Sequence, residues 1–155
     1  MKRAVLFWLA CLTLVLPQSI AWAADAGDDA ILGSWHTTDD KSQVKIFQHE
    51  QQYFGQVASL TRPNWPADDK FGMGGKPRTD RNNPNPALRD RPIAGIQFMS
   101  GFTYAGNNHW VDGKIYDPET GKSYKCKMTL LSNHQLEVRG YIGFSLIGRT
   151  VVWTR

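Results

Sequence analysis

The chain has 155 residues, 41% of them hydrophobic, 21% charged, and a formal net charge of +4. This length suits a single folded domain. The lysines and arginines form no cluster dense enough for nucleic-acid binding, and two cysteines are too few for a disulfide framework.

The chain opens on the basic Met1-Lys2-Arg3, continues with an apolar run from Ala4 to Leu16, and reaches Ala21-Trp22-Ala23, a small-x-small cleavage pattern. A bilayer span needs about 20 apolar residues, more than this run supplies. Residues 1–23 therefore read as a secretory signal peptide cleaved near Ala23, leaving 24–155 as one domain in the periplasm or outside the cell. Lys2 and Arg3 carry half of the +4 charge and leave with it. Cys11 leaves too, so Cys126 has no disulfide partner within the mature chain. Cys126 alternates with Tyr124, Met128 and Leu130, as a buried thiol would, and no neighbour in sequence supplies the depressed pKa that a reactive one needs.

Asp28-Asp29-Ala30-Ile31-Leu32 reads as a short helical turn plugging one end of a barrel, its acids at the helix N-terminus. Strand candidates rich in β-branched and aromatic residues follow at Gly33–Thr37, Gln43–His49, Gln52–Leu60, Ala94–Tyr104, His109–Tyr116, Lys122–Leu131, Gln135–Tyr141 and Leu146–Arg155. About eight strands is the number that closes a barrel around side chains or one small ligand. Tyr124, Cys126, Met128 and Leu130 share one face, with Ser123, Lys125, Lys127 and Thr129 on the other. Ala94, Ile96, Phe98 and Phe102 form another apolar face. Such alternation means one buried and one wet face. Most connectors are short, so the expected fold is all-β: a small antiparallel up-and-down barrel of about eight strands, with one long Pro/Asn/Arg-rich loop.

That loop, residues 61–93, holds six of the eight prolines and the glycines Gly72, Gly74 and Gly75. Loops beyond about 12–15 residues are uncommon in compact domains and are usually functional or disordered. Its second half, Asp80 to Pro92, is expected to be ordered by prolines and Asx turns, and the part around Phe71-Gly72-Met73-Gly74-Gly75 to be mobile. Asp80, Asn83, Asn85, Arg89 and Arg91 are the candidate polar groups at a binding mouth, where the arginines would clamp a carboxylate or phosphate. The alternative is that Asp80, Asp90 and the arginines pair among themselves and pin the loop across the barrel.

Phe98, Phe102, Tyr124, Met128, Leu136 and Val138 are the expected lining of an interior pocket. Asp117 reads as a turn cap, and whether it or Arg139 has more than a structural role is open at this stage. Tyr141–Gly148 is apolar and glycine-spaced, either a tip that touches an envelope protein or membrane surface or a segment folded back on the barrel. His36, His49, His109 and His134 lack ligand spacing, so no metal is expected. No phosphate loop, dinucleotide fingerprint or nucleophile elbow is present, so no cofactor or catalytic residue is assigned.

Gly33-Ser34-Trp35 at the start, with Arg149 and Arg155 near the end, resembles the calycin superfamily, which includes the lipocalins. That resemblance implies a tryptophan at the barrel floor crossed by an arginine from a late strand, making Trp35 and Arg155 or Arg149 structural. A longer resemblance covers nearly all of the mature chain. Gly33-Ser34-Trp35, Val44–Phe47, Asn83–Pro92, Gly113–Pro118, Gly121–Tyr124, Arg139–Gly143 and Trp153–Arg155 resemble the bacterial envelope family called domain of unknown function 2147. It implies a secreted single-domain protein and no particular activity. The glycine-rich Phe71–Lys76 segment departs from it. The leading expectation is a periplasmic barrel binding a small apolar or lipid-like ligand. The alternatives are a non-catalytic interaction module with a filled barrel, and an enzyme with Asp80, Arg89, Arg91, Asp117 and Arg139 at one rim.

Overall fold

Eight strands follow one another in chain order, each antiparallel to the last, and the eighth returns to the first to close a barrel. The computed structural model describes residues 25–143 and 146–155, so the signal-peptide reading of residues 1–23 lies outside the described residues. The strands are β1 (Gly33–His36), β2 (Ser42–His49), β3 (Gln52–Leu60), β4 (Gln97–Gly106), β5 (His109–Asp117), β6 (Lys122–Ser132), β7 (Gln135–Tyr141) and β8 (Gly148–Thr154). The sequence places all eight, and the largest offset is at β4. There Ala94-Gly95-Ile96 still belongs to the incoming loop, with Gly95 N–H donating to the Val57 carbonyl and Ile96 N–H to that of Ile93.

Two of the hairpins have two-residue turns whose residues take positive φ: Glu50 and Gln51 (48° and 62°) and Asn107 and Asn108 (52° and 62°). That conformation matches the right-handed twist of the paired strands. These turns lie at one end of the barrel, together with the β6–β7 turn. At this end the interior is packed with Trp35, Ile46, Tyr53, Met99, Phe102, Trp110, Met128 and Leu136, each at most 2% exposed. Each buried aromatic or aliphatic side chain here contributes about 1.5–3 kcal/mol. Gly113 makes room for the packing, since a Cβ there would lie 2.3 Å from the Phe102 ring.

The expected plug is a 3-10 turn, Asp28–Ile31, with Ile31 fully buried. It is tied down by two indoles: Trp35 Nε1 donates to the Ile31 carbonyl (2.8 Å) and Trp110 Nε1 to that of Asp28 (3.2 Å). Arg155 closes the seam between first and last strands. Its guanidinium carbon lies 4.3 Å from the centre of the Trp35 ring system. Its nitrogens donate to the carbonyls of Asn133 (2.7 Å), Leu32 (3.1 Å) and Ala30 (3.0 Å). Stacking of this kind contributes about 0.5–2 kcal/mol, and the three carbonyls gain donors where β1 and β8 share only the His36–Thr154 pairing.

Candidate functional site

The opposite half of the barrel is hollow. A cavity of about 1140 Å³ that opens to solvent at the mouth occupies it, just above the roughly 300–1,000 Å³ of sites that accept small organic molecules. Its walls are the same inward faces that fill the other half, continued along the strands with smaller or more widely spaced side chains. β3 contributes Val57, β4 Phe98, β5 Ile115, β6 Tyr124, β7 Val138 and Gly140, and β8 Val151 and Trp153. The rim comes from the connections at this end: Thr37 to Ser42, Leu60 to Arg62, Arg78 and Ile93, Asp117 to Glu119, and Ile142 with Ile147.

Of the six residues expected to line the pocket, Phe98, Tyr124 and Val138 do so. Phe102, Met128 and Leu136 are instead locked in the packed half, at 0%, 1% and 0% exposure. All six point inward, but alternation gives the face and not the height along the barrel axis. Val57, Ile115, Val151 and Trp153 are wall residues that the sequence reading missed, though period-two spacing within their strands was available to find them. Gly140 was missed because it shapes the wall by having no side chain.

The two arginines proposed to cross Trp35 separate. Arg155 does so; Arg149 lies at the far end of β8, on the cavity rim. They are six residues apart, about 20 Å along an extended strand. Arg149 shares the inward face of Val151 and Trp153 and is not part of the seam.

The loop residues proposed for the mouth turn on one another. Asp80 is fully buried and carries three partners. Arg91 donates Nε (3.0 Å) and Nη2 (2.8 Å) to Asp80 Oδ2, Asn83 Nδ2 donates to the same oxygen (2.7 Å), and the Tyr116 hydroxyl donates to Oδ1 (2.6 Å). Arg89 donates to the Asn83 carbonyl (2.9 Å), and Asn85 caps the 3-10 turn Pro86–Leu88 by accepting from Ala87 N–H. None of Asp80, Asn83, Asn85, Arg89 and Arg91 reaches the cavity wall. The physical reason is that a buried carboxylate must be paired and hydrogen-bonded, and these are the groups that do it. The self-pinned alternative holds for Asp80 with Arg91; Arg89 turns instead to a backbone carbonyl, and no pairing of Asp90 is seen among the described residues. Burial first, and the hydrogen bond to Asp80 second, push the Tyr116 hydroxyl up to about 12. Because Tyr116 also lines the cavity, this cluster anchors the loop to the barrel wall.

The glycine-rich first part of the loop has a hub of its own. Asp69 accepts from the Phe71 and Met73 N–H groups and pairs with Arg81 at 2.8 Å, an arrangement that holds its carboxyl below the ordinary range. The Arg81 guanidinium lies 3.6 Å from the centre of the Trp65 rings and 4.4 Å from that of Phe71. A smaller pocket of about 210 Å³ opens beside it, sharing Arg78, Ile93, Pro118 and Glu119 with the large cavity. The Trp65 indole N–H on its wall is buried with no acceptor. Farther on, Gly121 is obligatory: its φ is +69°, and a Cβ would meet the Asn82 carbonyl oxygen at 2.0 Å.

Each of the groups proposed for an enzymatic rim is engaged in a contact within the fold. Asp80 is paired with Arg91, Arg89 serves the Asn83 carbonyl, Asp117 accepts from Glu119 N–H and Thr120 Oγ1 in its own turn, and Arg139 donates to Thr150 Oγ1 on β8. Among the described residues no three His, Cys, Asp or Glu side chains cluster as metal ligands. Cys126 is fully buried, and burial pushes its thiol up to about 12. In the apolar tip, Ile142, Leu146 and Ile147 are 64%, 90% and 68% exposed, and Ile142 and Ile147 stand at the cavity mouth. Phe144 and Ser145 lie outside the described residues.

A closed eight-strand meander with one sealed floor, an arginine crossing a floor tryptophan and an open hollow end defines a lipocalin-like barrel. It is similar in structure to protein HP1028 from the human pathogen Helicobacter pylori, described as belonging to the lipocalin family. The match has a TM-score of 0.67 and 27% identity, covering 80% of this chain and 81% of that one. The chain belongs to the DUF2147 family, described as an uncharacterized protein conserved in bacteria, whose model matches residues 33–155. No curated protein matches the sequence.

Proposed function

We propose that the protein is exported to the periplasm and there binds a small apolar or lipid-like molecule inside the open half of its barrel. The observation that carries the ligand reading is the cavity of about 1140 Å³, walled by Val57, Phe98, Ile115, Val138, Val151 and Trp153. Filling such a space with a hydrocarbon gains about 25 cal/mol for each Å² of apolar surface removed from water. The export reading rests on the basic, apolar and Ala21-Trp22-Ala23 segments at the N-terminus. Cell fractionation that finds the chain in the cytoplasm removes that half alone.

Gly140 supplies the test of binding. Its φ is ordinary, and a Cβ there would have only van der Waals neighbours, Ile115 at 3.6 Å and Tyr124 at 3.9 Å. A Cβ at 140 is therefore accommodated, and a Gly140→Leu side chain extends from it into the cavity. The purified protein should bind the neutral fluorophore N-phenyl-1-naphthylamine, and Gly140→Leu should weaken that binding by about 10-fold or more while leaving the thermal midpoint equal or higher. Absence of fluorophore binding to the wild type, or equal binding to the variant, overturns the reading and favours an interaction module.

A further inference from the structure

We infer that the cavity takes an amphiphile whose head is an oxygen anion, carboxylate or phosphate, received at the mouth by Arg149. The inference rests on the binding reading above and specifies the class of its ligand. Arg149 stands on the inward face of β8, in register with Val151 and Trp153, which form the apolar wall directly below it. Its cross-strand neighbour is Gly140, which offers no side chain to cover it. Among the described residues the Arg149 side chain has no hydrogen bond, ion pair or aromatic partner. Arg149 itself is exposed at the mouth; a solvent-accessible guanidinium at the rim of a hydrocarbon wall, without a counter-ion, matches a ligand that is apolar below and anionic above.

The remaining charges on the wall favour the same sign. Arg62 also lies on the rim without a partner among the described residues, and Arg78 lies where the cavity meets the small side pocket. Lys41 completes the cations. Of the carboxylates, Asp40 faces His36 Nδ1 at 2.9 Å, and Asp117 is occupied by Glu119 N–H (2.9 Å) and Thr120 Oγ1 (2.8 Å). Glu119 is the acid left over, and it sits on the side-pocket wall beside Arg78 and Arg81.

The test uses the full mature chain and displacement of N-phenyl-1-naphthylamine by dodecanoate, dodecyl phosphate and dodecanol, each below its micellar concentration. The two anions should displace at concentrations about 10-fold below the alcohol. Arg149→Gln should abolish most of that preference while leaving dodecanol unchanged, and Arg149→Lys should keep part of it. A larger preference for one anion assigns the source as a fatty acid or a phosphate ester. Displacement by dodecanol equal to that by both anions, or an anion preference untouched by Arg149→Gln, overturns this inference and leaves apolar binding standing. Displacement by none of the three overturns both.

Discussion

The two halves of this barrel are built from the same eight strands and the same alternation, yet one is solid and the other hollow. Along β6 the inward residues run Tyr124, Cys126, Met128, Leu130, and only Tyr124 reaches the cavity. Along β7 they run Leu136, Val138, Gly140, losing bulk toward the mouth. Trp35, Trp110, Tyr53 and Phe102 crowd the closed half, whereas valines, an isoleucine and a glycine make up much of the open wall. The difference teaches that strand count sets the diameter of the barrel, while side-chain volume at each level decides whether that diameter is filled.

Truncation should therefore cost very different amounts in the two halves. Phe102 is fully buried and fits against Gly113, so Phe102→Ala should destabilise by about 3–5 kcal/mol through lost burial and the cavity left behind. Val151, already facing open space, should cost no more than about 1 kcal/mol as Val151→Ala. Urea unfolding of both variants measures the contrast directly. Equal losses would show that the upper wall is packed and break the distinction between the halves.

The long loop is held at the open half, where Tyr116 on the cavity wall bonds Asp80. Asp80 is the residue on which it turns, so Asp80→Ala leaves Arg91, Asn83 and the Tyr116 hydroxyl without their shared acceptor. The Arg91 side chain is 37% exposed and can regain water, which reduces the penalty for the stranded cation. We expect a loss of about 2 kcal/mol, with protease cutting between residues 62 and 92 and with the strands still protected in hydrogen exchange. Uncut loop in the variant would show that the Asp69 hub alone suffices.

How far these regions were legible from sequence follows the same division. The strands depend on period-two patterning and chain order, which one sequence carries openly; the closing arginine and the floor tryptophan are implied by the calycin resemblance that Gly33-Ser34-Trp35 and the terminal arginine carry. Arg149 stood as an alternative to Arg155 because the two share the face of Trp153 and residue type does not distinguish them; what separates them is height, six residues or about 20 Å along the chain. The polar loop looked like a mouth because Asp80, Arg89 and Arg91 are the residues a site would use. They are also the residues that satisfy one another when a carboxylate is buried, and only the contacts, separated by up to 36 positions as in Asp80–Tyr116, show which use prevails. The cavity itself was least legible, since it depends on the summed volume of side chains from several strands at one height.

Cys126 lies where the two halves meet, between Tyr124 on the cavity wall and Met128 in the packed interior, and it offers the finest test of where packing stops. Burial raises its thiol from an ordinary 9.0 to about 12, and burial together with the Asp80 hydrogen bond raises Tyr116 from 10.0 to about 12. In both groups the folded state holds its proton more tightly than the unfolded chain does. The resulting stability is complete below pH 9 and declines as pH rises toward 12. Urea midpoints should accordingly be flat from pH 7 to 8.5 and fall at pH 10 by an amount on the order of 1 kcal/mol, most of it absent in Cys126→Ala. In the native protein at pH 8, iodoacetamide should leave Cys126 unmodified, because the neutral thiol is a poor nucleophile and the side chain is fully enclosed. Addition of urea should make it react at the rate of a free thiol. Rapid alkylation of the folded chain would mean that the hollow half extends down past residue 126, moving the boundary between the two halves toward the barrel floor.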